Sequence, residues 1–500
     1  MSLAYRTLLH LKYLALLYLL QMRKLFATNL IFLLLLNVVV KPLWIFAIDR
    51  NVQIVLGAKE YGFYFALFNF SILFNFLLDL GITNFNNREI SYHPQLISKQ
   101  FANILIIKLV LAFVYFVFTM GTGVSMGFGK RHIILLSVLT LNQFLASLLL
   151  FIRSNLNGLH FFKADSVLSV MDKVIVIVLI SMLLWVNLGI QLTVEVFALS
   201  QTLAYVIAIL IAFWFLQGKY SIAIYREFDR ITIVTLIKKG LPFAVLVLLM
   251  TLYSRLDTVM VERLCPEGAI SAGIYAQAFR LFDAFNMYSY LFAALMLPIF
   301  SRMMSNREDI SELFNFSFNL ILIPVIAIAV PIIIYNRPVM SILYHEHIDL
   351  SAKVLILLMG SFVSVALSYL FGTALTAKGS IWLLCRISLG AVIVSLVAML
   401  IFIPRFGLIG AALANLAANA IAALLQAFFF MHSQGKVISK TSVLKISSYI
   451  LIYTAFGLMI QYTIGNNLAG FMVTLASSSL VILGLRLFTF RAVVNFVRGI

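Results

Sequence analysis

From residue 26 to residue 488, apolar blocks of about 20 residues alternate with short polar connections, and few folds accept that pattern. A block of this length covers the roughly 30 Å hydrocarbon core of a bilayer as a helix. A helix also satisfies its own backbone donors and acceptors where no water is at hand. The period-2 alternation of a transmembrane barrel strand is absent. The chain is 63% hydrophobic and 11% charged, whereas soluble domains carry roughly 25% charged residues. These features define an all-α polytopic membrane protein.

The blocks predict about fourteen transmembrane helices. Six fall at 26–48, 61–82, 101–123, 131–152, 166–186 and 192–216, and six more at 241–262, 271–298, 313–335, 354–377, 381–403 and 408–431. A last pair, 443–464 and 468–488, lies in a C-terminal region of residues 432–500. Residues 1–25 carry Arg6, Lys12, Arg23 and Lys24, no acid, and an apolar run too short to span. They are expected to form an interfacial segment on the cytoplasmic surface, with no signal-peptide cleavage site after it. Residues 217–240 read as a polar, charged cytoplasmic connector.

The formal charge of +18 would suggest nucleic acid in a soluble protein. Here it is the lysine and arginine excess of loops on one side, and the positive-inside bias places both termini in the cytoplasm. Cys265 and Cys385, the only cysteines, make neither a disulfide framework nor a metal cluster. His345-Glu346-His347 lacks further ligands at metal-binding spacing and reads as a solvated loop. No cofactor motif, Walker motif or Gly-rich phosphate loop is present.

The stretch Gly240–Arg302 contains an internal echo of an earlier one. Gly268-Ala269, Gly273, Tyr275 and Phe279 match Gly57-Ala58, Gly62, Tyr64 and Phe68 without a gap, 211 residues apart. Six helices separate equivalent points, so both halves enter the membrane in the same sense. The expected architecture is two six-helix lobes, 26–216 and 241–431, related as a parallel repeat with substrate between them.

Several charges fall inside predicted spans, where an ionisable group costs roughly 2.5–3.5 kcal/mol on insertion scales and marks a bundle interior or a pathway. The basic ones are Lys41, Lys108, Lys173, Arg255, Arg280 and Arg386; the acids are Asp79, Asp172, Asp257 and Asp283. An excess of cations suits an anionic headgroup, and arginine can hold phosphate oxygens bidentately. Lys41, Arg255 and Arg280 are therefore candidate substrate-binding cations, and Lys41 with either Arg255 or Arg280 is expected to line one positive, water-accessible cavity between the lobes. Asp257 and Asp283 are candidates for switching or ion coupling. At 1.5 Å per residue, Asp257 and Arg280 lie about 24 and 27 Å from the cytoplasmic ends of their helices, so the two are expected to be able to pair. Asp79 and Arg88 sit at the cytoplasmic end of the second helix, as a loop anchor or as headgroup contacts.

Leu56-Gly-Ala-Lys-Glu-Tyr-Gly-Phe-Tyr64, Asp79-Leu-Gly81 and Arg88 resemble the amino-terminal signature of Wzx-type polysaccharide flippases, within the multidrug/oligosaccharidyl-lipid/polysaccharide exporter superfamily. Arg255-Leu-Asp257, Ala272-Gly-Ile-Tyr275, Phe279-Arg-Leu-Phe282, Pro298 and Gly407-Leu-Ile-Gly-Ala-Ala412 resemble its later signatures. The resemblance implies transfer of an undecaprenyl-diphosphate-linked oligosaccharide to the outer leaflet of a bacterial inner membrane, by alternating access coupled to an ion gradient. It implies no enzymatic activity and a monomeric transport unit, with a glycan polymerase and a chain-length regulator as possible partners. Two other functions fit the hydropathy. A multidrug or organic-cation antiporter would favour an acidic first-lobe cavity, where this chain has Lys41. An O-antigen polymerase or ligase would show a long outer loop with catalytic Arg or His, which this chain lacks.

Overall fold

The computed structural model describes residues 32, 35–37, 39–93, 95, 97–186, 189–217, 230–435, 437–485 and 487. The interfacial segment expected at 1–25 and half of the connector, 218–229, lie outside them. The described chain is helical. α1 (39–49) ends in a π-helical turn, Trp44–Asp49, and runs into α2 (Arg50–Leu73). Gly57, at φ 73° and ψ 167°, breaks α2 in a left-handed conformation that only glycine adopts without strain. The first crossing therefore ends at residue 56, eight residues later than predicted, and the second begins at 58. A short 3₁₀ turn, Asn75–Leu78, leads to α3 (Ile82–Tyr92).

The remaining helices follow in order. They are α4 (Ile97–Ser125), α5 (Lys130–Gly158), α6 (Phe162–Trp185), α7 (Val194–Gln217), α8 (Arg230–Leu264), α9 (Gly268–Ser305), α10 (Ser311–Ile334) and α11 (Asn336–Leu343). After these come α12 (Ile348–Ala377), α13 (Ile381–Phe406), α14 (Leu408–Gln434), α15 (Lys440–Ile464) and α16 (Leu468–Gly484). Eleven helices among the described residues are long and apolar enough to cross a membrane, and α16 is a shorter apolar helix. α8 starts eleven residues before its predicted span, inside the expected connector, and α9 continues past Pro298 to Ser305.

Lipid-facing and inward-facing sides differ by side-chain size. Leu451 and Leu483 are more than 70% exposed, as suits an apolar solvent. Ala411, Ala414, Ala418 and Ala422 form a fully buried stripe on α14, and Ala204, Ala208 and Ala212 do the same on α7. Small residues let membrane helices approach until van der Waals packing holds them. α3, α5, α6 and α7 pack with one another in the first half; α8, α9, α12, α13 and α14 do so in the second. α15 and α16 lie against each other and against α10.

The halves meet chiefly where α2 packs on α8 and α9. At the end marked by the Gly57 break the contact is reciprocal. A Cβ on Gly62 would fall 1.8 Å from Ala269 O, and one on Gly273 would fall 1.9 Å from Ala58 O. These four residues are the repeat equivalents found in the sequence, so a pseudo-twofold axis runs between them. At the opposite end a Cβ on Gly240 would fall 1.9 Å from Leu80 O. Backbone touches backbone at both ends of the interface, and the two halves are closed against each other there.

Candidate functional site

Between these two seals the interface buries charge. Asp49, on the π-helical turn of α1, is 1% exposed and lies 2.9 Å from Arg280 Nε on α9. Tyr61 OH donates to Asp49 Oδ2 at 2.8 Å and accepts from Arg280 Nε at 2.9 Å. The guanidinium stands over Phe65, 4.8 Å from its ring centroid, and near Phe68 at 5.7 Å. The first half thus supplies an acid, a hydroxyl and two ring faces, and the second half supplies the cation. A π-helical turn often marks a functional position, and here it turns Asp49 toward the opposite half. The next residue makes a second tie. Arg50 donates to Leu343 O at 2.5 Å and Ile342 O at 3.1 Å, the carbonyls that end α11. A cation at a helix C-terminus is favoured by the helix dipole.

The expected Asp257–Arg280 pair does not form. Asp257 is fully buried and accepts from Tyr275 OH at 2.5 Å, Asn415 Nδ2 at 2.8 Å and its neighbour's N–H, Thr258 N, at 2.8 Å. Matched depth was not enough, because azimuth decides. Tyr275 and Arg280 are five residues apart on α9, about 140° around the helix. The face that meets Asp257 therefore turns Arg280 away, toward the first half.

Arg255 instead pairs with Asp283 at 2.8 Å and stands over Phe279, 5.2 Å from the ring centroid. Phe68 and Phe279 are repeat equivalents, and each lies beside a guanidinium. The Arg255–Asp283 pair lines a cavity of about 340 Å³ bounded mainly by α8, α9, α12 and α14, with Ile72 of α2 at its edge.

Lys41 is half-buried on α1, away from both arginines, with Lys173, Asp172 and Arg153 as its charged neighbours. Lys173 pairs with Asp172 at 3.2 Å and lies over the rings of Trp44 and Tyr205. The three candidate cations therefore occupy three separate places instead of one shared cavity. Asp79 accepts from buried Lys108 at 2.7 Å and from Thr83 N at 3.2 Å, which fixes the turn into α3. Lys108 also donates to Leu78 O and Ser147 Oγ. That geometry is a loop anchor. Arg88 falls on α3, and its side chain lies outside the described residues.

Asp49 falls one residue beyond the predicted end of the first span, which leaves it out of the bundle, and Tyr61, at the start of the second span, carries no charge to mark it. The repeat held the missing signal. Gly57 is equivalent to Gly268, the first residue of α9, so the first helix had to run on to residue 56 and carry Asp49 inside the bundle.

Two halves of membrane helices closed around buried charge form a fold that solved structures share. The chain superposes on the lipid II flippase MurJ in an inward closed conformation with a TM-score of 0.65 and 18% identity, over 93% of this chain and all of that one. It superposes on an inward-facing multidrug resistance MATE family transporter of the MOP superfamily with a TM-score of 0.61 and 15% identity, over 79% and 94%. The polysaccharide biosynthesis protein family matches residues 26–304, and the chain belongs to it. A curated relative, the probable low-salt glycan biosynthesis flippase Agl15 of Haloferax volcanii, is 24% identical over 179 residues. That match spans 35% of this chain and 38% of the relative.

Proposed function

We propose that this chain carries an undecaprenyl-diphosphate-linked oligosaccharide from the cytoplasmic to the outer leaflet for cell-surface polysaccharide synthesis. The lobes 26–216 and 241–431 are its moving bodies, both termini are cytoplasmic, and the membrane is a bacterial inner membrane. Family membership supports a glycan role and the fold supports transport. The observation that carries the mechanism is the buried Arg280–Asp49 pair, whose members come from opposite halves. An anionic diphosphate competes with Asp49 for the same planar guanidinium, so binding the headgroup releases one half from the other. Alternating access needs such differential binding, since a ligand with equal affinity for two states shifts neither.

Asp257 is the ion-coupling candidate. It is a buried carboxylate held by neutral donors, Tyr275 and Asn415, and can take a cation or a proton without breaking an ion pair. The test is export of glycan by Arg280 variants in a flippase-deficient strain, with membrane abundance measured alongside. Arg280→Lys keeps the charge but loses the bidentate fork and should export poorly at normal abundance. Wild-type export by Arg280→Ala would refute the role.

A further inference from the structure

The cavity beside Arg255 has chemistry that suits neither a diphosphate nor a drug cation. Arg255 and Asp283, 2.8 Å apart, leave it without net charge. Its volume of about 340 Å³ falls at the lower end of the roughly 300–1,000 Å³ typical of small-molecule sites. Phe282, Tyr253 and Tyr369 supply ring surface along the wall. On the same wall, Asn286 Oδ1 and Ser368 Oγ are buried without a hydrogen-bond partner. Buried polar atoms are nearly always satisfied, and an exception calls for an absent partner.

The two orphaned atoms call for a hydrogen-bond donor, which water or a hydroxyl-bearing ligand supplies. An amide oxygen only accepts, so Asn286 Oδ1 needs a donor, and a hydroxyl oxygen such as Ser368 Oγ can take one as well. A diphosphate offers only acceptors. A sugar ring offers hydroxyl donors at its edge and an apolar C–H face that stacks on aromatic rings.

We infer that this cavity holds an uncharged sugar residue of the lipid-linked glycan, while the Arg280 site takes the diphosphate. The inference rests on the flippase reading and divides its substrate between two sites. Asn286 and Ser368 accept sugar hydroxyls, the aromatic wall receives the ring face, and Asp283 holds Arg255 off the phosphate. Glycan selectivity then resides in the second half alone.

The experiment compares binding of two probes to the purified full chain in lipid nanodiscs. One is undecaprenyl diphosphate without sugar; the other carries a single uncharged N-acetylhexosamine. Wild-type protein should bind the glycosylated probe more tightly. Asn286→Leu and Ser368→Val should each reduce that preference roughly five- to tenfold, as expected for one hydrogen bond, with sugar-free binding unchanged. Their thermal stability should hold or rise, because an apolar group replaces an unsatisfied one. Equal wild-type affinity for both probes overturns the sugar site. So does an equal loss for both probes in either variant. If Arg280→Lys leaves binding of the sugar-free probe intact, or wild type binds neither probe, the flippase reading fails, and in the second case the sugar site fails with it.

Discussion

Gly62→Ala and Gly240→Ala are expected to open opposite ends of the molecule. In the structure a Cβ on Gly62 would lie 1.8 Å from Ala269 O and 2.4 Å from Gly273 N, both backbone atoms that cannot rotate aside. Ordinary van der Waals contact begins near 3.4 Å. α2 and α9 must therefore separate by about 1.5 Å at this point, which packed helices accommodate by changing arrangement more readily than by stretching. The Cβ on Gly240, 1.9 Å from Leu80 O, demands a similar displacement at the other end. The assay replaces Cys265 and Cys385 by serine and places Ser254→Cys in the cavity wall. A membrane-impermeant thiol reagent is then applied from each side of sealed vesicles. Gly62→Ala should raise labelling several-fold from the side of the Gly57 break, and Gly240→Ala from the opposite side. Equal labelling from both sides in either variant would refute the two-seal reasoning. So would export at wild-type rate by Gly62→Ala with unchanged labelling.

Other residues give sharper separations of structure from transport. Lys108→Ala leaves Asp79, which is 30% exposed, without its cation beside the turn into α3, and the lost charged hydrogen bond costs about 1–3 kcal/mol. Membrane abundance should fall, with headgroup affinity unchanged in the protein that survives; unchanged abundance would exclude the anchor. Asp257→Asn keeps an acceptor for Tyr275 and Asn415, so the protein should fold, while transport loses its dependence on the ion gradient. Retained gradient dependence would remove Asp257 from coupling. Reporter fusions after Lys353 and Asn466 should read as external and one after Lys239 as internal, and a reversed result at Lys239 would overturn the leaflet assignment.

Much of the architecture was legible because its causes are local. Twenty-residue apolar blocks require helices, and the offset between Gly57 and Gly268 exposes the parallel repeat. The same motif even marked the interface, since its glycines and alanines are the atoms in contact. What stayed hidden depends on azimuth across helices distant in sequence. Depth along a helix can be counted, and Asp257 and Arg280 matched by that measure. Which way each side chain turns depends on tilt and neighbours, and Asp49 won Arg280 by lying on the facing surface. Asp49 itself was obscured by a boundary drawn at the end of an apolar run, although the chain stays helical until Gly57. Lys108 and Asp79 were both visible as charges within spans. Their pairing across 29 residues needed the fold.

The claim that diphosphate opens the Arg280–Asp49 pair is tested most directly by the spacing of the two halves. Spin labels at Lys59→Cys and Glu267→Cys, both exposed positions beside the Gly57 seal, report that spacing in the full chain in nanodiscs. Adding undecaprenyl diphosphate should shift the distance distribution toward longer values. Asp49→Asn should show part of the same shift without ligand, and Arg280→Lys should need a higher ligand concentration to reach it. A distribution that does not move with undecaprenyl diphosphate, or one that moves equally in Arg280→Ala, would contradict the account.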